Sequence, residues 1–333
     1  MPADRVRLSV EEARALGERA LRGVGYDAEE ARIIADHVID AALCGYEYSG
    51  LAKILNVPEH RRFREPRRKM SVIRETDLSI LYDGGNNNGM LAMYYATQAA
   101  IERAQTRGMA LVGVTNSWMS GRSAYYVEMI ARADLVGIHT ASSSRAVAPF
   151  GGAKPILGTN PIAFGLPTAE GVISFDMGTS AFMFTELQLR ERLGQLLPEG
   201  VAIEAAGQPT RDPSAARAGA ILPFGGYKGF GLGFIVQAFG LLAGAGLVPG
   251  NEDGYIFIVL RPDLLVPLDD FKREMSALIA RIKAVPRQPG VEEIRLPSER
   301  AARDRERLTR EGLEIDGAVH EALRALAGRN AAP

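Results

Sequence analysis

Cysteine is almost absent: the 333 residues contain one, Cys44, and only four histidines. A single thiol cannot form an internal disulfide, and His37, His60, His139 and His320 are too scattered to match metal-ligand spacing. Neither a disulfide scaffold nor a structural zinc site is expected. Net charge is missing too. Lys and Arg number 39 against 40 Asp and Glu, which removes the basic footprint of a dedicated nucleic-acid binder and favours a small neutral or anionic ligand. The opening Met1-Pro-Ala-Asp-Arg5 lacks the basic-then-apolar pattern of an export signal, which with the lone Cys points to the cytoplasm. The one long apolar run, residues 230–249, is broken only by Gln237 and is rich in glycine; a buried helix is expected there rather than a membrane span.

What is present is ordinary globular material. With 47% hydrophobic and 24% charged residues the chain is neither disordered nor fibrous, and at roughly 150 residues per domain its length suggests two lobes. Ser9-Val-Glu-Glu12 and Asp27-Ala-Glu-Glu30 are capping boxes, which predict helices through Leu21 and about Cys44. Gly23-Val-Gly25 imitates the start of a dinucleotide fingerprint, but it follows a helix rather than a strand and suits a C-cap. Gly84-Gly-Asn-Asn-Asn-Gly89 reads as a turn before an Ala-rich helix through about Arg107. Residues 110–115, 135–141, 172–176 and 255–260 read as strands in the middle of a sheet, and 123–133 as a helix. From Leu268 onward the pattern returns to helices with charged faces. The pattern predicts a mixed α/β core with a helical lobe built from both termini.

Three glycine- and polar-rich segments stand between the strands, around residues 149–161, 176–180 and 223–231. Taken singly, each is ordinary turn chemistry. Taken in order, Gly158-Thr-Asn-Pro-Ile162, Leu197-Pro-Glu-Gly200, Gln208-Pro-Thr-Arg-Asp-Pro213 and Gly225-Gly-Tyr-Lys-Gly-Phe-Gly-Leu232 make the chain resemble, over almost its whole length, the second, non-Rossmann type of malate/L-lactate dehydrogenase family. That family includes ureidoglycolate and sulfolactate dehydrogenases and Δ1-piperideine-2-carboxylate reductases. The resemblance implies an NAD(P)-dependent oxidoreductase, with residues 1–78 and 283–333 forming the helical lobe and 79–282 the sheet domain. It also implies a homodimer, NADH or NADPH along the sheet domain, and an acidic small-molecule substrate between the lobes. By the same resemblance Ser120, Gly121, Arg122, Ser123, Ser143, Asp176, Met177, Gly178, Lys228 and Gly229 hold the cofactor. A helix starting at Ser123 fits this, because free N–H groups and a positive dipole end suit a pyrophosphate, with Arg122 and Lys228 adding full charges.

The departures bear on mechanism. The family's Ser-His-Gly motif, whose His donates or accepts the substrate proton, corresponds to Tyr48-Ser49-Gly50. A second family His corresponds to Met119, a Gly-Lys pair to Thr185-Glu186, and a His before Lys228 to Tyr227. Lys53 keeps the cationic substrate position, and Thr159 matches a substrate-contacting threonine. Reducing a ketone needs a proton donor, worth roughly 10²–10⁴ in rate, and serine is a poor one. An imine can arrive already protonated. The sequence therefore favours reduction of a cyclic imine or other activated acceptor, with Asp176 holding the charge and Tyr48 or Ser49 relaying the proton. Reduction of an ordinary 2-oxo acid is the alternative, and a cofactor-binding homologue that has lost redox catalysis is a third. Simple packing for Tyr48, and a cap for Ser49, are equally open.

Overall fold

Both capping boxes form. In the computed structural model, which describes residues 4–246 and 251–329, the Ser9 and Asp27 side chains accept from the N–H groups of Glu12 and Glu30, whose carboxylates reach back to the cap N–H groups. In chain order the elements begin with β1 (Arg5–Leu8), α1 (Val10–Gly23), α2 (Ala28–Leu43) and α3 (Ala52–Glu59). There follow β2 (Ser71–Glu75), β3 (Ser79–Asn88), α4 (Gly89–Arg107), β4 (Met109–Trp118), α5 (Ser123–Arg132), β5 (Val136–Ser142), β6 (Ile162–Thr168) and β7 (Gly171–Met177). Then come α6 (Phe184–Arg192), β8 (Ala202–Ile203), α7 (Pro213–Ala218), β9 (Ala220–Ile221), α8 (Tyr227–Leu242) and β10 (Gly254–Leu260). The chain closes with α9 (Leu268–Lys283), α10 (Glu299–Glu311), β11 (Leu313–Asp316) and α11 (Gly317–Ala327).

The two ends of the chain meet. β1 pairs antiparallel with β11, Arg5 opposite Asp316, and Leu21, Ile33, Ile34, Leu51, Ile54 and Leu323 share one buried cluster. Each such side chain contributes roughly 1.5–3 kcal/mol when fully buried. The main sheet is mixed, with strand order β2-β3-β4-β10-β5-β6-β7. Only the β3/β4 pair is parallel. β10 occupies the middle, with Tyr255, Ile256, Phe257 and Val259 buried. Because β10 runs antiparallel to both neighbours, its first residue, Gly254, lies opposite Thr115 and Ser142. The start of β10 therefore shares a sheet edge with the ends of β4 and β5.

Four expectations are corrected. The run from Gly84 to Gly89 is not a turn but the irregular end of β3, where Gly85 and Asn86 take positive φ and the register shifts. Asn87 holds it by donating to the carbonyls of Arg68 and Gly84, and Asn88 caps α4. Residues 71–75, assigned by sequence to the helical lobe, are an edge strand of the main sheet. β7 lies at the other edge rather than in the middle. Finally, α8, which covers the described part of the long apolar run, is not enclosed: Phe234, Ile235, Leu241 and Leu242 are 48–67% exposed. Its glycines explain this. A Cβ on Gly240 would fall 1.9 Å from Ser142 Oγ, so α8 lies with its glycine side against the sheet and leaves its bulky side uncovered. Among the described residues no helix is long and apolar enough to cross a membrane.

Candidate active site

A cleft of about 440 Å³ collects residues that are far apart in sequence. Ser49 enters from the turn before α3 and Lys53 from its first turn, Met119, Ser120 and Gly121 from the loop after β4, and Ser143 from the loop after β5; Thr159, Thr185 and Asp253 are also on the wall. Six of the sequence-predicted site residues, Ser49, Lys53, Ser120, Gly121, Ser143 and Thr159, thus share one space with Met119, the position of the second expected histidine. Ser49 is buried, and Met119, at positive φ, packs on the helical-lobe core.

Lys53 is 4% exposed and makes no ion pair with any described residue. Burial alone pulls its ammonium down to about 8. The cleft also holds Arg61, Arg145 and Arg217, against Glu59 and Asp253. Arg145 pairs with Glu252 at 2.8 Å, Arg217 with Glu191 at 2.9 Å, and Glu59 with Arg192 at 2.9 Å. Lys53 is the cleft cation for which the described side chains provide no counter-charge.

The start of α5 is different, although sequence placed a phosphate there. Arg122 donates to Asp40 at 2.8 Å and to Glu128 at 2.9 Å, and its backbone N–H donates to His37 Nε2 at 2.8 Å. Gly121 permits that approach, since a Cβ would lie 2.1 Å from His37 Nε2. Asp176 accepts from Ala124 N–H at 2.8 Å and from the Ser123 N–H. Burial raises the Asp176 carboxyl, and these amides and Arg122 pull against it. Glu128 is also penalised by burial, but Arg122 and Arg305 overrule that and hold it below its ordinary value. The α5 amides and the Arg122 guanidinium are thus already engaged with carboxylates, which corrects the expectation of free donors at this helix end. Tyr48 is packed against the helical-lobe core outside the cleft wall, and burial, with Glu186, pushes its phenol up. Lys228 is exposed at the start of α8, and Gly229 is required by packing, because a Cβ would meet the Phe224 carbonyl at 2.1 Å.

Sequence reasoning missed three wall residues. His60 stacks on Trp118 with ring centroids 4.4 Å apart, and burial, with Arg61 and Arg62, lowers it to about 4. Gln188 reaches the wall from α6. Asp253, 4% exposed, is pushed up to about 7 by burial, against the pull of Arg62 and Arg61. A carboxylate just before the most apolar strand was the available signal, the same one that drew attention to Asp176.

A nicotinamide dinucleotide suits the grooves. A second groove of about 470 Å³, lined by Pro149, Ile156, Phe230 and Phe234, shares Ser143 and Arg145 with the first. Together they offer a track with apolar faces and hydroxyl donors at Ser120, Ser143, Ser144 and Thr159, with Arg145, paired with Glu252, on the wall they share. Met177 and Gly178 lead into Thr179, whose N–H binds the Thr159 carbonyl at 2.9 Å.

Residues 8–324 match the family model described as malate/L-lactate dehydrogenase. The L-sulfolactate dehydrogenase of Methanothermobacter thermautotrophicus is 33% identical, across 97% of this chain and 96% of the relative. The Delta(1)-pyrroline-2-carboxylate/Delta(1)-piperideine-2-carboxylate reductase of Pseudomonas aeruginosa is 32% identical, across 96% and 99%. The crystal structure of malate dehydrogenase from Entamoeba histolytica superposes with a TM-score of 0.89 at 25% identity, covering 99% of each chain.

Proposed function

We propose, from the premise that the chain belongs to the malate/L-lactate dehydrogenase family and is an oxidoreductase, that it interconverts a small 2-oxo acid and its 2-hydroxy acid with NADH or NADPH. The observation that carries this reading is Lys53, a buried cation facing the cleft without a counter-charge among the described residues. Burying an unpaired charge is costly, and a substrate carboxylate offsets that cost. A 2-oxo acid brings net negative charge to a wall holding four cations and two carboxyl groups. A protonated cyclic imine carboxylate brings none and places its own positive charge near Lys53. The sequence preference for an imine rested on the lack of histidine at positions 49 and 119; the charge of the cleft argues the other way.

Ser143, Ser144, Thr159 and Arg145 would hold the reduced nicotinamide, which would supply a hydride there. The chain's residues do the rest. Lys53 holds the carboxylate, Thr159 offers a hydroxyl beside it, and Met119, Met183 and Phe184 keep water from part of the wall. A second reading, reduction of a cyclic imine, retains one supporting observation, the Ser49 and Met119 side chains where family members carry the proton-handling histidines. The bare face of α8, with Phe234 58% and Leu242 67% exposed, supports a homodimer, because a monomer would leave this patch in water. Nicotinamide absorbance followed with oxaloacetate, pyruvate, 3-sulfopyruvate and Δ1-piperideine-2-carboxylate tests the reading. The 2-oxo acids are expected to give the higher kcat/KM, and turnover of the imine alone would reject them.

A further inference from the structure

We infer that Asp253 is the proton donor and acceptor of this cleft, in place of the Tyr48 or Ser49 relay beside Asp176 that the sequence suggested. The inference rests on the proposed 2-oxo acid chemistry and names the residue that completes it. Among the carboxyl groups of the wall, Glu59 is exposed and paired with Arg192, whereas Asp253 is buried. Its carboxylate accepts from the Ser144 N–H but makes no ion pair shorter than 4.0 Å with a described residue. Arg62 is 4.0 Å away and spends its short hydrogen bonds on neutral acceptors: the Ser117 carbonyl at 3.2 Å, Asn251 Oδ1 at 3.0 Å, and Asn116 Oδ1. The remaining groups facing Asp253 are Arg61, Glu252, Tyr255 and the Ser144 N–H. The position is rigid as well, one residue before the central strand and beside the ends of β4 and β5.

The proton balance is complete. Reducing the carbonyl consumes a hydride, which carries both electrons and one hydrogen, and one further proton. As the C=O electron pair moves onto oxygen, the Asp253 O–H transfers its proton there and is left as carboxylate, to be reprotonated by water from the cleft. In oxidation the carboxylate takes the hydroxyl proton. Burial leaves Asp253 at about 7, so it carries a usable fraction of both forms near neutrality. Reduction should therefore fade as pH rises through about 7, and oxidation as pH falls through it.

Asp253→Asn keeps the shape and removes the titration. Its kcat in both directions, measured with NADH or NADPH and the panel acid that the parent turns over best, should fall about 10²-fold or more with little change in KM. Asp253→Glu should recover part of the rate. Carbon NMR of the free protein carrying isotope-labelled aspartate carboxyls supplies a readout independent of activity: one signal titrating near 7 in the parent and absent from Asp253→Asn. An Asp253→Asn enzyme as active as the parent, or no aspartate signal titrating above the ordinary carboxyl range, overturns the assignment while leaving 2-oxo acid reduction intact. A parent that turns over none of the 2-oxo acids overturns both.

Discussion

The start of α5 and the wall around Lys53 hold similar side chains in opposite states. At α5, Arg122, Asp40, Glu128 and Arg305 form a closed set of ion pairs between 2.7 and 2.9 Å, with Asp176 completing the helix end. In the cleft, Lys53 has no ion-pair partner among the described residues, and the described ion pair of Asp253 spans 4.0 Å. Charges satisfied inside the protein fix the packing of α2, α5 and α10. Charges left unsatisfied at a wall await a ligand. A carboxylate in an apolar setting is therefore weak evidence of chemistry until its partners are known.

The comparison breaks most visibly if the closed set is opened. Glu128→Ala leaves Arg122 and Arg305 sharing Asp40 alone and should cost about 3 kcal/mol in urea unfolding; a loss below 1 kcal/mol would show the set to be slack. Lys53→Met should do the reverse, raising KM for the acid by about 1.5–3 kcal/mol equivalent while leaving unfolding unchanged or slightly harder, because an unpaired buried cation is removed. Next comes acid. Burial, with Lys53 and Arg122, holds His37 well below its ordinary value of 6.5. Its folded value is thus below its unfolded one, and stability should decline as pH falls below 6.5, by at most about 1.4 kcal/mol per pH unit for one proton. His37→Asn should flatten that slope. Asp176→Asn weakens the α5 cap and should cost about 1 kcal/mol of stability with kcat almost unchanged. Ser49→Ala, which removes a hydroxyl and no charge, should change neither by more than about 0.5 kcal/mol.

Local patterns were legible because their causes are local. The two capping boxes join residues three apart, and β10 is a continuous apolar run of seven. The exposed face of α8 was not legible, since periodicity reports an apolar helix but not which side another element covers. Asp176 and Asp253 show the same limit at the site. Each is a carboxylate at one end of an apolar strand, and nothing within a few residues says that the first meets α5 amides from residues 123 and 124. Nor does anything local say that the second directly precedes Gly254, which lies opposite Thr115 and Ser142, because that follows from β10 pairing with strands more than 100 residues earlier. Lys53 and Thr159, singled out by resemblance, do line the cleft; the absence of a counter-charge at Lys53 needed the fold.

A crystal structure of the complex with NADH or NADPH and oxamate, an unreactive 2-oxo acid mimic, tests the division between the two regions most directly. The oxamate carboxylate should sit on Lys53 Nζ with its carbonyl oxygen toward Asp253, while Asp176 still accepts from the α5 amides. Oxamate bound at Arg122 with Asp176 displaced, or bound with its carbonyl oxygen turned away from Asp253, would contradict it.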